Sequence, residues 1–429
     1  MNAISVFFDR RILVILLLGI SSGFPKGMIV SSLIAWLTDE GLSRTDVALF
    51  GLVSLPYAFN FLWAPLVDKM PLPWLGKALG RRRSWILLSQ LLLFGLIMLL
   101  AGVDASSNLP TIALVCVIIA FVSATQDVAI DAYRIESVER KIQGAAASTS
   151  VVGWLLGNMP LAGVALFLTQ YDLSWNQIYW FMSFGMLIGV VTILFAKEPQ
   201  LPDSSDDNLS ATPSKFDLKA WFIDAAVNPF VEFFSRNGMQ LAGAILIFIF
   251  SFKLGEAFLG SMSIRFYNEV GFSWSEVFAY VKSVGMVALA AGSLIGGAIS
   301  IKLGSTKGLF LSGLAMALTN LLYAYLAAVG KVESVLVLCV VLDNFTGGMS
   351  TVAFVTYLSK LCNVKYTATQ YALFASLGNF SRTTLAAGSG YMVDQLGGNW
   401  SIFFILTALM AIPGLALLLW VSKHDKVNS

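Results

Sequence analysis

The feature that most constrains this chain is an apolar run of about twenty residues that recurs, with polar breaks, from one end to the other. A helix of ~20 apolar residues matches the ~30 Å hydrocarbon core of a bilayer. The chain is 57% hydrophobic and only 12% charged, whereas a soluble domain carries about 25% charged residues, so lipid rather than water must cover most of its surface. The runs and their breaks predict twelve spans. Six lie at about 11–37, 45–66, 83–104, 108–134, 142–169 and 177–196, and six at about 239–266, 275–301, 306–329, 332–359, 366–394 and 399–421. Arg10 and Arg11 precede the first run and no small-residue cleavage site follows, which reads as a retained span and not as a removed signal peptide.

These spans predict an all-α membrane protein built as two six-helix halves, 1–196 and 239–429, joined by a linker at 197–238. The linker opens in EPQLPDSSDDNLSATPS, too polar to build a core. Its later part, KFDLKAWFIDAAVNPFVEFF, has an amphipathic pattern expected to lie along the membrane surface. The halves echo one another. Gln143 and Gly163 of the fifth span match Gln370 and Gly390 of the eleventh in spacing, and the fourth and tenth spans end near Tyr133 and Tyr357. Pseudo-symmetric halves with a site at midplane are a transporter signature. Of the 27 Lys and Arg, 20 fall on the side of the two termini and the linker, and only Arg44, Arg265 and Lys331 near the opposite ends. The positive-inside rule then places both termini in the cytoplasm.

Several chemistries are excluded. Cys116, Cys339 and Cys362 sit in or beside apolar segments without paired spacing, so neither a disulfide framework nor a zinc motif is expected. The one histidine, His424, lies in the polar tail, which removes His-based metal sites and Ser-His-Asp catalysis. A membrane enzyme acting on lipid-linked sugar would need a catalytic cluster at the interface. The Gly80-Arg81-Arg82-Arg83 run could attract phosphate, but Asp68 is the sole carboxylate near it. The expectation is a transporter and not an enzyme, with no metal and no cofactor beyond a coupling proton. It is expected to be embedded in the bilayer as a monomer, without nucleic-acid partners.

Proton chemistry inside the membrane must therefore use Asp and Glu. In FVSATQDVAIDAYRIE of the fourth span, Asp127, Asp131 and Arg134 share one helical face. At 1.5 Å per residue, Asp127 lies roughly 10 Å and Asp131 roughly 4–5 Å inside Arg134. A charged carboxylate at the depth of Asp127 costs at least ~3 kcal/mol unless it meets water, a cation or a proton, so Asp127 is read as a cavity residue carrying substrate or proton. Asp131 is read as part of a gate, or as a structural partner of Arg134.

Other charges lie near mid-span: Lys26 after Gly23-Phe-Pro25, Lys253 and Glu256 three apart, Lys282, Asp343 beside Asn344, and Arg382. With Asp127 and Asp131 they balance as four cations and four anions, as charge pairs lining one cavity would. Glu256 and Asp343 join Asp127 as candidate proton carriers. Lys26, Gln126, Asp127, Trp154, Lys253, Glu256, Asn344, Asn379 and Arg382 are the candidate substrate contacts. Arg382, with no acid in its own helix, suits a substrate carboxylate; Lys253–Glu256 could equally be a pair that only stiffens its helix. Trp154 sits mid-span as a possible sugar platform, whereas Trp36 and Trp63 fit interfacial anchors. Gly153, Gly157, Gly347, Gly348 and Gly388 are expected to let helices approach closely.

Ala64-Pro-Leu-Val-Asp68-Lys-Met followed by Gly80-Arg81-Arg82-Arg83 resembles the loop motif of the major facilitator superfamily, split by residues 71–79. The second half carries a degenerate copy, GGAISIKLG at 296–304, with Ile301 in the place of the Asp. Asp68, Arg81, Arg82, Asp131 and Arg134 are the candidate gate, with Arg134 the expected partner of Asp68; the alternative is that these arginines only set topology.

Taken with SSGFPKGM, ATQDVAIDAY, KLGEAF and GGMSTVAFVTYLSKLCN…TATQYALFASLGNFSR, these stretches cover nearly the whole chain and resemble the AmpG family of muropeptide permeases, a branch of that superfamily. The resemblance implies proton-coupled import of N-acetylglucosamine–anhydro-N-acetylmuramic acid carrying peptide, across a bacterial inner membrane. It further implies a part in peptidoglycan recycling and β-lactamase induction, and maps the family's important aspartates onto Asp127 and Asp131. Lys26 stands where the family would be expected to place an apolar or small residue, which points to a more acidic cargo. Related branches carry siderophores or acetyl-CoA and supply the alternative.

Overall fold

The apolar runs fold as helices throughout the residues described by the computed structural model, which are 5–41, 50–103, 108–199, 227–386 and 388–424. Helix is the state in which each backbone N–H and C=O is satisfied within its own segment, as lipid requires. Among the described residues ten helices are long and apolar enough to cross a membrane: α1 (Arg10–Leu37), α3 (Arg81–Ala101), α4 (Leu109–Ser137), α5 (Arg140–Tyr171), α6 (Trp175–Phe195), α7 (Met239–Val270), α8 (Gly285–Leu303), α9 (Ser305–Val329), α10 (Glu333–Leu361) and α12 (Trp400–His424). The two other expected spans are helical in a less regular way. α2 (50–69) is a chain of short turns restarted at Pro56 and Pro65, since proline gives up a backbone donor and favours a first turn. α11 (Thr367–Ala386) carries many Thr, Gln, Asn and Ser along one helix. α3 begins at Arg81, earlier than expected, because its arginines find acids and carbonyls at the membrane edge.

Small residues set the tightest helix pairs. Gly19 and Gly23 of α1 press on Gly153 and the backbone of Trp154 in α5; in the other half, Gly292 and Gly296 of α8 press on Phe345 and Met349 of α10, and Gly348 of α10 on Leu289. An added Cβ at these positions would collide with backbone. The expectation of close approach therefore holds at Gly153, Gly157 and Gly348. Gly347 faces open space and Gly388 meets only Leu385 O of its own chain turn, so neither performs that role.

Each half buries its own apolar clusters, for example Trp36, Trp175 and Tyr179 in the first and Phe266, Tyr323 and Phe404 in the second. Trp36 is thus a core residue stacked on Trp175 and Tyr179, not an interfacial anchor. Outward-facing Leu, Phe and Val such as Leu62, Phe167, Val287 and Leu318 stay exposed to the surroundings, as lipid contact allows. The glutamines of the internal echo do equivalent work: Gln143 donates to Ile135 O and Val138 O, and Gln370 accepts from Asn363 N. Each ties its helix to the loop before it.

One cavity joins Arg10 to Lys360 and another joins Lys360 to Ser422, so both termini lie on one face. The halves meet through α2 and α4 against α11, and α5 against α8 and α10. These contacts gather toward the terminal face, where Gly144 of α5 and Gly297 of α8 lie back to back. Of the predicted amphipathic linker stretch, residues 215–226 lie outside the described residues. Its end forms a helix, Asn228–Asn237, that packs Phe233 on Phe374 and bonds Glu232 to Gln370 and Asn363. This helix docks on α11 instead of resting on lipid alone.

Candidate functional site

The seam between the halves is built on Asp68, at the end of α2. Its carboxylate accepts from Ala368 N at 3.1 Å, from Thr369 N at 2.7 Å and from the Thr369 hydroxyl at 2.7 Å. The first N–H groups of a helix have no partner within it and carry the positive end of its dipole, so an acid there is doubly favoured. Its cation is Arg82, at 2.7 Å, with both side chains buried. Arg82 also holds Glu136 at 2.6 Å, and Arg81 donates to Asp68 O at 2.7 Å. Burial pushes the Glu198 carboxyl above the usual range even though it accepts from the backbone of Arg82 and Arg83.

The expected Asp68–Arg134 pair is therefore corrected. Arg134 is held by Asp131 at 3.2 Å and crosses the seam itself, donating to Ser359 Oγ of α10 at 3.0 Å and lying over the Tyr371 ring of α11. A further bond joins Ser376 to Asn60, at 3.2 Å. All five candidate gate residues thus lie at the seam or support it, in two groups instead of one.

Deeper in the first half, Asp127 accepts from Ser22 Oγ at 2.6 Å, and its charged neighbours are Lys26 and Asp131. The Lys26 ammonium lies 4.8 Å from the Tyr57 ring and 5.6 Å from the Trp154 ring, a cation held by two aromatic faces. Lys26, Asp127 and Trp154 are all partly accessible. Gln126, expected among the substrate contacts, is fully buried and donates to Ser21 O of α1 at 3.0 Å, so it faces a helix contact and not the cleft. Trp63 donates to Thr125.

In the second half, Lys253 pairs with Glu256 at 3.0 Å and reaches across to Thr351 of α10 at 2.8 Å, which makes the pair more than a stiffener of its own helix. Asp343 accepts from Thr319 of α9 at 3.4 Å and neighbours Glu256 and Tyr323, whose hydroxyl is 3.0 Å from that of Tyr267. Asn344 donates to Val340 O in its own helix, and Asn379 is exposed on α11. The side chains of Lys282 and Arg382 lie outside the described residues.

Both clusters sit where helices lose regularity. α1 widens into a π turn at Met28–Ser32 directly after Pro25 and Lys26, and α5 does so at Gly157–Leu161, which contains Pro160. α7 breaks at Phe252–Lys253, between Met239–Ser251 and Leu254–Val270. Proline removes one helical bond, and such irregular turns recur at functional sites and at midplane sites of transporters. Sequence reasoning missed Ser22, Tyr57, Thr319, Tyr323 and Thr351; a polar side chain one or two turns from a buried charge was the available signal.

The comparisons agree with this architecture. The sequence model of the Major Facilitator Superfamily matches residues 15–386 and 281–429. The chain is 34% identical to the anhydromuropeptide permease of Escherichia coli K12, over 96% of this chain and 80% of that one. It is 30% identical to the protein named AmpG 4 of Rickettsia conorii, over the full length of both. Its fold is similar to the crystal structure of the human organic anion transporter MFSD10, with TM-score 0.69 at 15% identity, covering 95% of this chain and 99% of that one. It is similar also to the E. coli fucose:proton symporter, with TM-score 0.66 at 16% identity, covering 99% and 100%. With two six-helix halves, a seam closed at one face and charged clusters at broken helices, the chain is a multi-pass transporter that belongs to the AmpG family of muropeptide permeases within the major facilitator superfamily.

Proposed function

We propose that this transporter imports anhydromuropeptides across a bacterial inner membrane, driven by protons, with both termini in the cytoplasm. The observation that carries the reading is the Asp127–Lys26–Tyr57–Trp154 group, set at the broken turns of α1 and α5 above a seam that is closed on the terminal face. Identity of 34% to the E. coli permease supports the cargo. A cation between two aromatic faces suits a ligand with both carboxylates and pyranose rings. Excess Lys and Arg on the terminal side supports the orientation.

In this conformation the cargo enters from the side opposite the termini. Its carboxylates meet Lys26, and a sugar ring stacks on Trp154. Protonation of Asp127 from the more acidic outside removes a charge from the first half, and Glu256 and Asp343 take the same part in the second. The halves then rock about the midplane, Asp68 leaves Thr369, Arg134 leaves Ser359, and cargo and proton are released inward.

Competition binding to the purified protein tests the cargo. Labelled anhydromuropeptide should be displaced by unlabelled muropeptide and not by ferric siderophore or acetyl-CoA. Displacement by either of those would assign the chain to the other branch.

A further inference from the structure

The terminal face holds a cavity of about 650 Å3, a volume in the range of small-molecule sites. It straddles the seam. Arg140, in the first turn of α5, contributes from the first half, and Lys360, in the last turn of α10, from the second; Arg140 is the charged neighbour of Lys360.

Of the three acids that line this cavity, Glu136 and Glu198 are committed elsewhere, while Glu139, next to Arg140, forms no ion pair among the described residues. Glu136 is held by Arg82 at 2.6 Å, and Glu198 by the backbone N–H groups of Arg82 and Arg83 at 2.7 and 3.0 Å. Arg10 and Arg11 are likewise spent, on Phe195 O and on Asp9. Among the described residues Arg140, Lys197 and Lys360 form no ion pair, three cations against the one uncommitted acid Glu139, so the cavity keeps an excess of positive charge. Two like charges facing each other across a closing seam work against closure unless an anion lies between them.

We propose that this cavity binds a phosphate-bearing anion bridged between Arg140 and Lys360. A single negative charge satisfies one cation; a phosphate or diphosphate offers several oxygens and enough charge for both. Separating the halves at this face pulls Arg140 and Lys360 apart, so the anion binds the closed state in preference. It therefore holds the transporter with its terminal face shut, by the difference in affinity between the two states. The binding itself does not depend on the import reading; its effect on the cycle does.

The test is calorimetric titration of inorganic pyrophosphate into the full chain in phosphatidylcholine nanodiscs, without cargo. Saturable binding is expected in the wild type and in Lys77→Gln, an exposed cation outside the cavity. Arg140→Gln and Lys360→Gln should each weaken it by about tenfold or more. Repetition in phosphatidylglycerol nanodiscs separates two sources of the same chemistry. Unchanged pyrophosphate binding assigns the site to a free anion, and competitive loss confined to proteins with both cations assigns it to a lipid headgroup. Equal affinity in the wild type and both cavity variants, or no saturable binding in phosphatidylcholine, overturns the proposal whatever the cargo proves to be.

Discussion

The carboxylate of Asp68, in the first half, lies 2.7 Å from both the backbone N and the hydroxyl of Thr369, in the first turn of α11 of the second. One side chain thus caps a helix of the opposite half while neutralising buried Arg82 at its back. The bond can exist only while the terminal face is closed, so Asp68 reports the state of the transporter as well as stabilising it.

Asp68→Asn should open this face. Removing one member of a buried charge pair costs about 3–5 kcal/mol, and the helix end loses its anion as well. Distances between spin labels placed on the terminal ends of α2 and α11 should shift to a longer population, and uptake should fall by about tenfold or more. An unchanged distance distribution would remove Asp68 from the gate.

Gly297→Val tests the seam from the other side. A Cβ at Gly297 meets Ser148 Cβ at 2.6 Å and Gly144 O at 2.8 Å, within a contact of helix on helix where backbone cannot yield. The same label pair should again lengthen, with little loss of thermal stability because each half keeps its own core. A melting temperature lowered by many degrees, with the closed distance retained, would mean that the contact is ordinary core.

Phe233→Ala examines the linker helix. Phe233 is buried against Phe374, and Phe→Ala in a core costs about 3–5 kcal/mol. That change should release the linker helix and expose Gln370 and Asn363, read as faster amide exchange over 228–237 and at the start of α11. Unaltered protection there would show that the polar bonds of Glu232 alone hold it.

Much of this was legible in sequence because it depends on local composition or on one helical face. Apolar length gave the spans, and depth along the fourth span separated Asp127 from Asp131, which the structure assigns to a Ser22 bond and to Arg134 respectively. The partner of Asp68 was not legible. Arg82 and Arg134 both stand at helix ends near the same membrane edge, and the choice between them is made by how α3 and α4 pack. Gln126 was misplaced for a related reason: one residue is a turn of about 100°, enough to move a side chain from the cleft to the α1 contact. The break of α7 at Lys253 carries no proline or glycine at the residue itself and follows from tertiary packing.

Trp154 and Lys26 should share one role in affinity. Trp154→Ala is expected to raise KM for anhydromuropeptide by about tenfold, the worth of one ring contact of ~1–1.5 kcal/mol, with Trp154→Phe recovering most of it. Lys26→Met should raise KM for cargo with an intact peptide carboxylate and leave cargo amidated at that group nearly unaffected. Equal losses for both cargoes would make Lys26 a structural cation of Tyr57 and Trp154 only.

The most direct test of proton-coupled import through Asp127 is uptake of labelled anhydromuropeptide into proteoliposomes, with and without an imposed inward proton gradient, for wild type and Asp127→Asn. The wild type should accumulate cargo above equilibrium only with the gradient, while Asp127→Asn should still exchange cargo across the membrane but never concentrate it. Accumulation by the wild type without a gradient, or full gradient-driven accumulation by Asp127→Asn, would contradict the account.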